Sequence, residues 1–173
     1  MKKLVMLTAI YWTLPLAALA QTMGSTGAAL SAQDKSFVQQ AAYAGLAEIS
    51  DGKLAETQGD AAIRELGARM VADHSKVNDR LAALSQQLGD PAPKMTDPTH
   101  QDQHAALETQ TGGAFDTQYL HNERADHEEA IKLFQTEASS GSNPELKSFA
   151  AKTLPTLEMH LSLVKSAIKA KNS

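Results

Sequence analysis

Residues 63–88, IRELGARMVADHSKVNDRLAALSQQL, decide the fold. Ile63, Leu66, Met70, His74, Val77, Leu81, Leu84 and Leu88 recur at spacings of three and four. That is the period of one face of an α-helix, sustained for about seven turns. Asp60 stands just before the run as a capping residue, and Gly89 follows it as a helix-ending one. One position keeps the geometry of the stripe and breaks its chemistry: His74 lies in the middle of an apolar face.

The same period recurs on both sides. Ser31 caps a first helix over about residues 32–58, with Asp34 at its third position. Phe37, Ala41, Ala44, Glu48, Gly52 and Ala55 share its stripe. Another helix starts near Ala114 and carries Phe115, Tyr119, Leu120, His127, Ile131, Phe134 and Ala138. Ser139 to Asn143 read as a turn, with Asn143 as cap and Pro144 at the first helical position of a last helix. Leu146, Ala150, Leu154, Leu157, His160, Val164 and Ile168 form the stripe of that helix. Pro155 inside it frees the carbonyl of Ala151 and predicts a kink before His160. Gly89 to Pro98 is proline-rich and reads as loop; residues 99–111 could form a short, weakly apolar helix, interrupted by Gly112-Gly113. No strand pattern competes. The expectation is an all-α, four-helix bundle built of two hairpins. Aligning Phe37 with Phe115 and His74 with His160 suggests a weak duplication. The connection of about 24 residues between the hairpins allows a long crossover, the ferritin-like topology, rather than a simple up-down path.

The N-terminus reads as a secretory signal over residues 1–20. Lys2 and Lys3 precede an apolar run from Leu4 to Leu19, and Ala18-Leu19-Ala20 offers a small-x-small cleavage site. Residues 21–30 read as a polar, flexible tail, and residues 31–171 as the bundle domain. No transmembrane segment is expected in the mature chain, whose address is the periplasm or the medium. The chain has no cysteine, so neither a lipid anchor nor a disulfide framework applies. Losing Lys2 and Lys3 with the signal takes the net charge from −4 to −6, which argues against nucleic acid and anionic lipid as partners. A homo-oligomer or an envelope protein is the partner class left open.

Glu48, His74, His127 and His160 each sit on the apolar stripe near the middle of a different helix. They are therefore expected at one level of the bundle, where such folds build metal sites. Three imidazoles and a carboxylate suit zinc, copper or iron and disfavour magnesium or calcium. Asp73, Asp126, Glu123 and Glu158 flank the set, with Asp73 and Asp126 the candidates to orient its histidines. A closed polar network that fixes helix register explains the same four residues without a metal. Neither half contains the Glu-x-x-His element of di-iron bundles, which favours the network. His100 and His104 form an i, i+4 pair that reads as solvated, His121 points to the surface, and Met70 and Met159 are spaced as core residues. No nucleophile has an obvious base and there is no phosphate loop, so no catalytic residue is assigned.

Several of these elements together resemble a known family. They are Phe37-Val38 with Ala41-Ala42, Ala47-Glu48-Ile49, Gly52-Lys53-Leu54-Ala55 and Met70-Val71-Ala72-Asp73-His74. Phe115-Asp116 with Tyr119, Asp126-His127, and Leu154-Pro155 with Leu157 and His160 continue the match. The chain is similar over about residues 32–170 to a large family of bacterial exported proteins catalogued as a domain of unknown function and often labelled predicted outer membrane protein. The resemblance implies a ferritin-like fold, and Glu48, His74, His127 and His160 match positions that recur in it. Ser50 stands where a second carboxylate is expected. The outer-membrane label has no barrel or anchor in the sequence to support it. The functional expectation is an exported helical bundle that binds something or serves envelope stress without turnover. A Glu/His metalloprotein is the alternative, and an interaction module the third.

Overall fold

The computed structural model describes residues 29–173. The signal expected over residues 1–20 lies outside them, as does all of the expected tail but Ala29 and Leu30. Among the described residues all regular secondary structure is helical, in five helices: α1 (Ala32–Gln58), α2 (Ala61–Gln87), α3 (Pro98–Glu108), α4 (Gly112–Ser140) and α5 (Pro144–Lys171). Four are long. The short α3 is the weakly apolar segment before Gly112.

The ends follow from local chemistry. The Ser31 hydroxyl accepts from Asp34 N–H while the Asp34 carboxylate accepts from Ser31 N–H, a closed capping box. Asp60, Asp97 and Asn143 cap α2, α3 and α5 with their side-chain oxygens. Two boundaries differ from expectation. Gly112 opens α4 with a φ of 56°, a left-handed value that lets the chain turn straight into the helix. At the other end α4 runs on through Ser139 and Ser140, whose hydroxyls bond back to carbonyls one turn earlier, so the turn shrinks to Gly141–Asn143. Helix α5 continues unbroken through Pro155.

Two apolar clusters form the core. One contains Phe37, Ala41, Leu81, Phe134, Leu146, Ala150 and Leu157. The other contains Ala55, Ile63, Met70, Leu107, Phe115, Tyr119 and Val164. Their membership fixes the direction of every helix. Helix α1 runs from the first cluster to the second, α2 returns, α4 runs the way α2 does, and α5 returns. The connection between α2 and α4 therefore traverses the length of the bundle, from Ala92 against the first cluster to Leu107 in the second. That is a crossover, and α3 is its strap. The Thr96 hydroxyl donates to the Tyr43 carbonyl at 2.9 Å, and His104 Nδ1 bonds Asp51 on α1.

Close approach of α1 and α2 rests on glycine. A Cβ on Gly67 would sit 2.7 Å from the Gly52 carbonyl oxygen and 2.8 Å from the Ala55 Cβ. At the ends of the bundle, buried aspartates tie helices together. Asp34 also accepts from the Ser142 and Asn143 amides, joining the start of α1 to the α4–α5 turn. Lys171 at the end of α5 donates to Asp116 at 2.6 Å and to Asp60 at 2.9 Å.

Candidate metal centre

Between the two apolar clusters lies a single polar layer. Glu48 from α1, His74 from α2, Glu123 and His127 from α4, and His160 from α5 are all buried in it. The four residues singled out from the stripes do meet. The ring centroids of His74, His127 and His160 lie 5.2–5.5 Å apart in all three pairs. Glu48 reaches two of them, with Oε1 at 3.5 Å from His127 Nδ1 and Oε2 at 3.8 Å from His74 Nε2.

The hydrogen bonds fix the tautomers. His127 Nδ1 stands 2.8 Å from the Glu123 carbonyl oxygen, which can only accept, so the ring donates from Nδ1 and its Nε2 carries a lone pair when neutral. His160 Nε2 stands 3.2 Å from the Asp73 carboxylate and donates to it, leaving Nδ1 with the lone pair. Those two nitrogens, His127 Nε2 and His160 Nδ1, face each other at 3.3 Å. His74 Nε2, Glu48 Oε2, Glu123 Oε2 and the Tyr119 hydroxyl are buried without a hydrogen-bond partner. Two sets of three donors are close enough to share one ion: His74, His127 and His160, and Glu48, Glu123 and His127, with the donor atoms of each set within 4.8 Å of one another.

Burial governs the charges. It pushes the Glu48 carboxyl up to about 8, with Asp126 and Asp51 adding to the rise and Glu123 opposing it. Glu123 is raised well above the usual range by burial and then by Glu48. Burial lowers His74 well below its ordinary value, and His127 and His160 beside it lower it further. His160 is lowered by burial against the opposing hydrogen bond to Asp73. Asp73 is only partly buried, and its contacts to His160 and Lys76 outweigh that burial to keep its carboxyl low. Among the described residues neither Glu48 nor Glu123 has a lysine or arginine to pair with. The layer is therefore rich in neutral donors that point at one another, an arrangement a cation would satisfy.

The flanking residues divide. Asp73 orients His160, as its place beside His74 on α2 allows. Asp126 lines a side groove with His100 and bonds none of the layer's three histidines, and Glu158 is exposed. Glu123 belongs inside the layer. Its signal in the sequence is the four-residue spacing Tyr119, Glu123, His127 along α4. His100 and His104 do not act as a pair: His100 bonds Asp97 and His104 bonds Asp51. His121 is exposed. Met70 is fully buried, but Met159 is 39% exposed, because its position one residue before His160 turns it off the inner face.

The fold is shared with solved structures of distant sequence. A crystal structure of a DUF305 fragment from Deinococcus radiodurans matches with a TM-score of 0.68 and 16% identity, over 83% of this chain and 99% of that one. A structure described as CopM in the Cu(I)-bound form matches with a TM-score of 0.68 and 15% identity, over 81% and 98%. CopM in the Cu(II)-bound form matches with a TM-score of 0.64 and 16% identity, over 77% and 93%. At such identities the likeness is one of fold. None of the curated proteins matches the sequence. No described helix is long and apolar enough to cross a membrane. The family described as Domain of unknown function (DUF4142) matches residues 19–167, nearly the whole chain, and the protein belongs to that family.

Proposed function

We propose that the protein binds a transition-metal ion in the polar layer, with His74, His127 and His160 as ligands and Glu48 as the fourth donor or counter-charge. The observation that carries this is the facing pair His127 Nε2 and His160 Nδ1, 3.3 Å apart with both other ring nitrogens donating elsewhere. Two lone pairs so placed repel unless a proton or a cation lies between them. Burial, which lowers His160, works against the proton. Two nitrogens each about 2.0–2.1 Å from a tetrahedral ion are separated by about 3.4 Å, close to the separation here. Asp73 and the Glu123 carbonyl then play the part of the outer acceptors that orient ligating imidazoles.

Three imidazoles with a carboxylate suit zinc, copper and iron. CopM shares the fold and is described in both Cu(I)-bound and Cu(II)-bound forms, so copper is the first ion to test. The role is binding or buffering without turnover, because the layer is sealed by apolar clusters on both sides and lacks a nucleophile. The setting is the periplasm: residues 1–20 are removed as a signal, and residues 31–171 form a ferritin-like bundle. A closed polar network remains the competing explanation. The raised Glu48 and Glu123 carboxyls favour it, since protonated carboxyls can bond one another.

Metal analysis of protein purified without an immobilised-metal column separates the two. The expected result is a stoichiometric transition metal that disappears in the His74→Ala, His127→Ala double variant. Metal-free protein whose stability is the same with and without a chelator, and which takes up no added copper or zinc, overturns the metal reading and leaves the network.

A further inference from the structure

We propose that the groove between α1, α3 and α4 is the port through which cations reach the polar layer, an inference that rests on the metal-binding reading above. The groove has a volume of about 110 Å³; its ionisable lining is Asp97, Asp126 and Glu129 with the His100 imidazole, set among uncharged side chains such as Tyr43 and Leu133, and no lysine or arginine lines it. His100 and Asp97 bond each other at its edge. Immediately inside lies a second cavity of about 20 Å³, lined by Glu48, His74 and His127. A space of that size holds about one water or ion. Three of its lining residues carry a buried side-chain atom with no hydrogen-bond partner: Glu48 Oε2, His74 Nε2 and Asn78 Oδ1.

The two cavities share Ala44 and Ala130 as lining residues. Ala44 is one turn before Glu48 on α1, and Ala130 is one turn after His127 on α4. Both are half-buried. The two cavities thus share a wall to which two alanine methyl groups contribute, the smallest side chains that could stand there. Routes along the bundle axis are blocked by Phe134 and Leu157 on one side of the layer and by Tyr119, Leu120 and Val164 on the other. On the α1–α2 side Asn78 packs over Gly45, where an added Cβ would collide with its Oδ1. The approach past Asp73 to His160 carries no net charge, because the Lys76 ammonium sits 3.5 Å from the Asp73 carboxylate. A cation nearing the protein is drawn to the groove more than to this charge-paired face.

Stopped-flow loading with cobalt(II), whose visible absorption reports entry into a nitrogen-rich site, tests this on the purified protein. In Ala130→Leu the added side chain plugs the wall. Loading and chelator-driven release should both slow by about tenfold with equilibrium affinity unchanged, since a blocked passage acts equally in both directions. In the Asp126→Asn, Glu129→Gln double variant, which preserves shape, loading should slow and lose most of its dependence on ionic strength. Lys76→Glu should leave the loading rate as it was. Unchanged rates in both groove variants, or faster loading in Lys76→Glu, overturn the port while leaving the metal centre standing. A wild-type protein that takes up no cobalt, or a His74→Ala, His127→Ala variant that still does, overturns the centre itself.

Discussion

Asp34 is a buried carboxylate that accepts from the Ser31, Ser142 and Asn143 amides at once. Burial works to raise its carboxyl, but these amides outweigh it and bring it to about 2. Asp34→Ala leaves three amides without their acceptor and should cost about 3 kcal/mol by chemical denaturation. Glu137 sits beside it in the opposite state: burial, then a side-chain hydrogen bond with Asp34 and the Asp34 charge, raise its carboxyl to about 7 against the opposing bond from Gln33. A carboxyl raised on folding contributes stability at low pH that is lost as pH rises from its unfolded value through its folded one. The melting temperature of Glu137→Gln should therefore gain on wild type between about pH 4.5 and pH 7 and hold the gain above; parallel curves would contradict this. At this scale the sequence was informative where a polar residue interrupted an apolar stripe, which is how Glu48, His74, His127 and His160 stood out. Glu123 lies on the same stripe as His127, one turn away, and reads as a flank only because glutamate is so common on helices. Asp126 and Asp73 each adjoin a histidine in sequence, yet only Asp73 bonds one of the layer's histidines. A rotation of about 100° per residue sends neighbours to different faces, and which neighbour finds a partner depends on the helix across from it.

Among the elements, the α1–α2 contact is the tightest. Gly67→Ala places a methyl against the backbone of α1 and should destabilise by about 1–3 kcal/mol. Gly113→Ala, in the first turn of α4 with nothing within 4 Å of the added Cβ, should be neutral or stabilise by about 0.5 kcal/mol. Paired urea titrations of the two variants check the contrast. The four long helices were legible because each keeps a three-four period between good caps. Helix α3 was legible only as a weak segment: apart from Leu107 it buries little, and what holds it are His104 on Asp51 and Thr96 on the Tyr43 carbonyl, bonds between residues 53 apart in sequence. The end of α4 was misplaced because Ser139 and Ser140 resemble a turn, whereas here their hydroxyls are absorbed by the helix's own carbonyls.

For the whole molecule, the polar layer divides one core into two, and the crossover makes α2 and α4 parallel so that donors from all four long helices meet there. The length of the connection permitted that path, but only the two ends of α3 fix it. A ligand at 100 times its dissociation constant stabilises a fold by about 2.7 kcal/mol, which for a chain of this size is a rise in melting temperature of about 5–10 °C. Copper or zinc should produce such a rise, EDTA should reverse it, and the His74→Ala, His127→Ala variant should not show it. The most direct test of the central claim is anomalous diffraction from crystals grown with the bound ion, recorded at its absorption edge. One strong peak is expected inside the bundle, about 2.0–2.2 Å from a ring nitrogen of each of His74, His127 and His160. Loaded crystals with peaks only at surface histidines such as His121, and none in the polar layer, would contradict it.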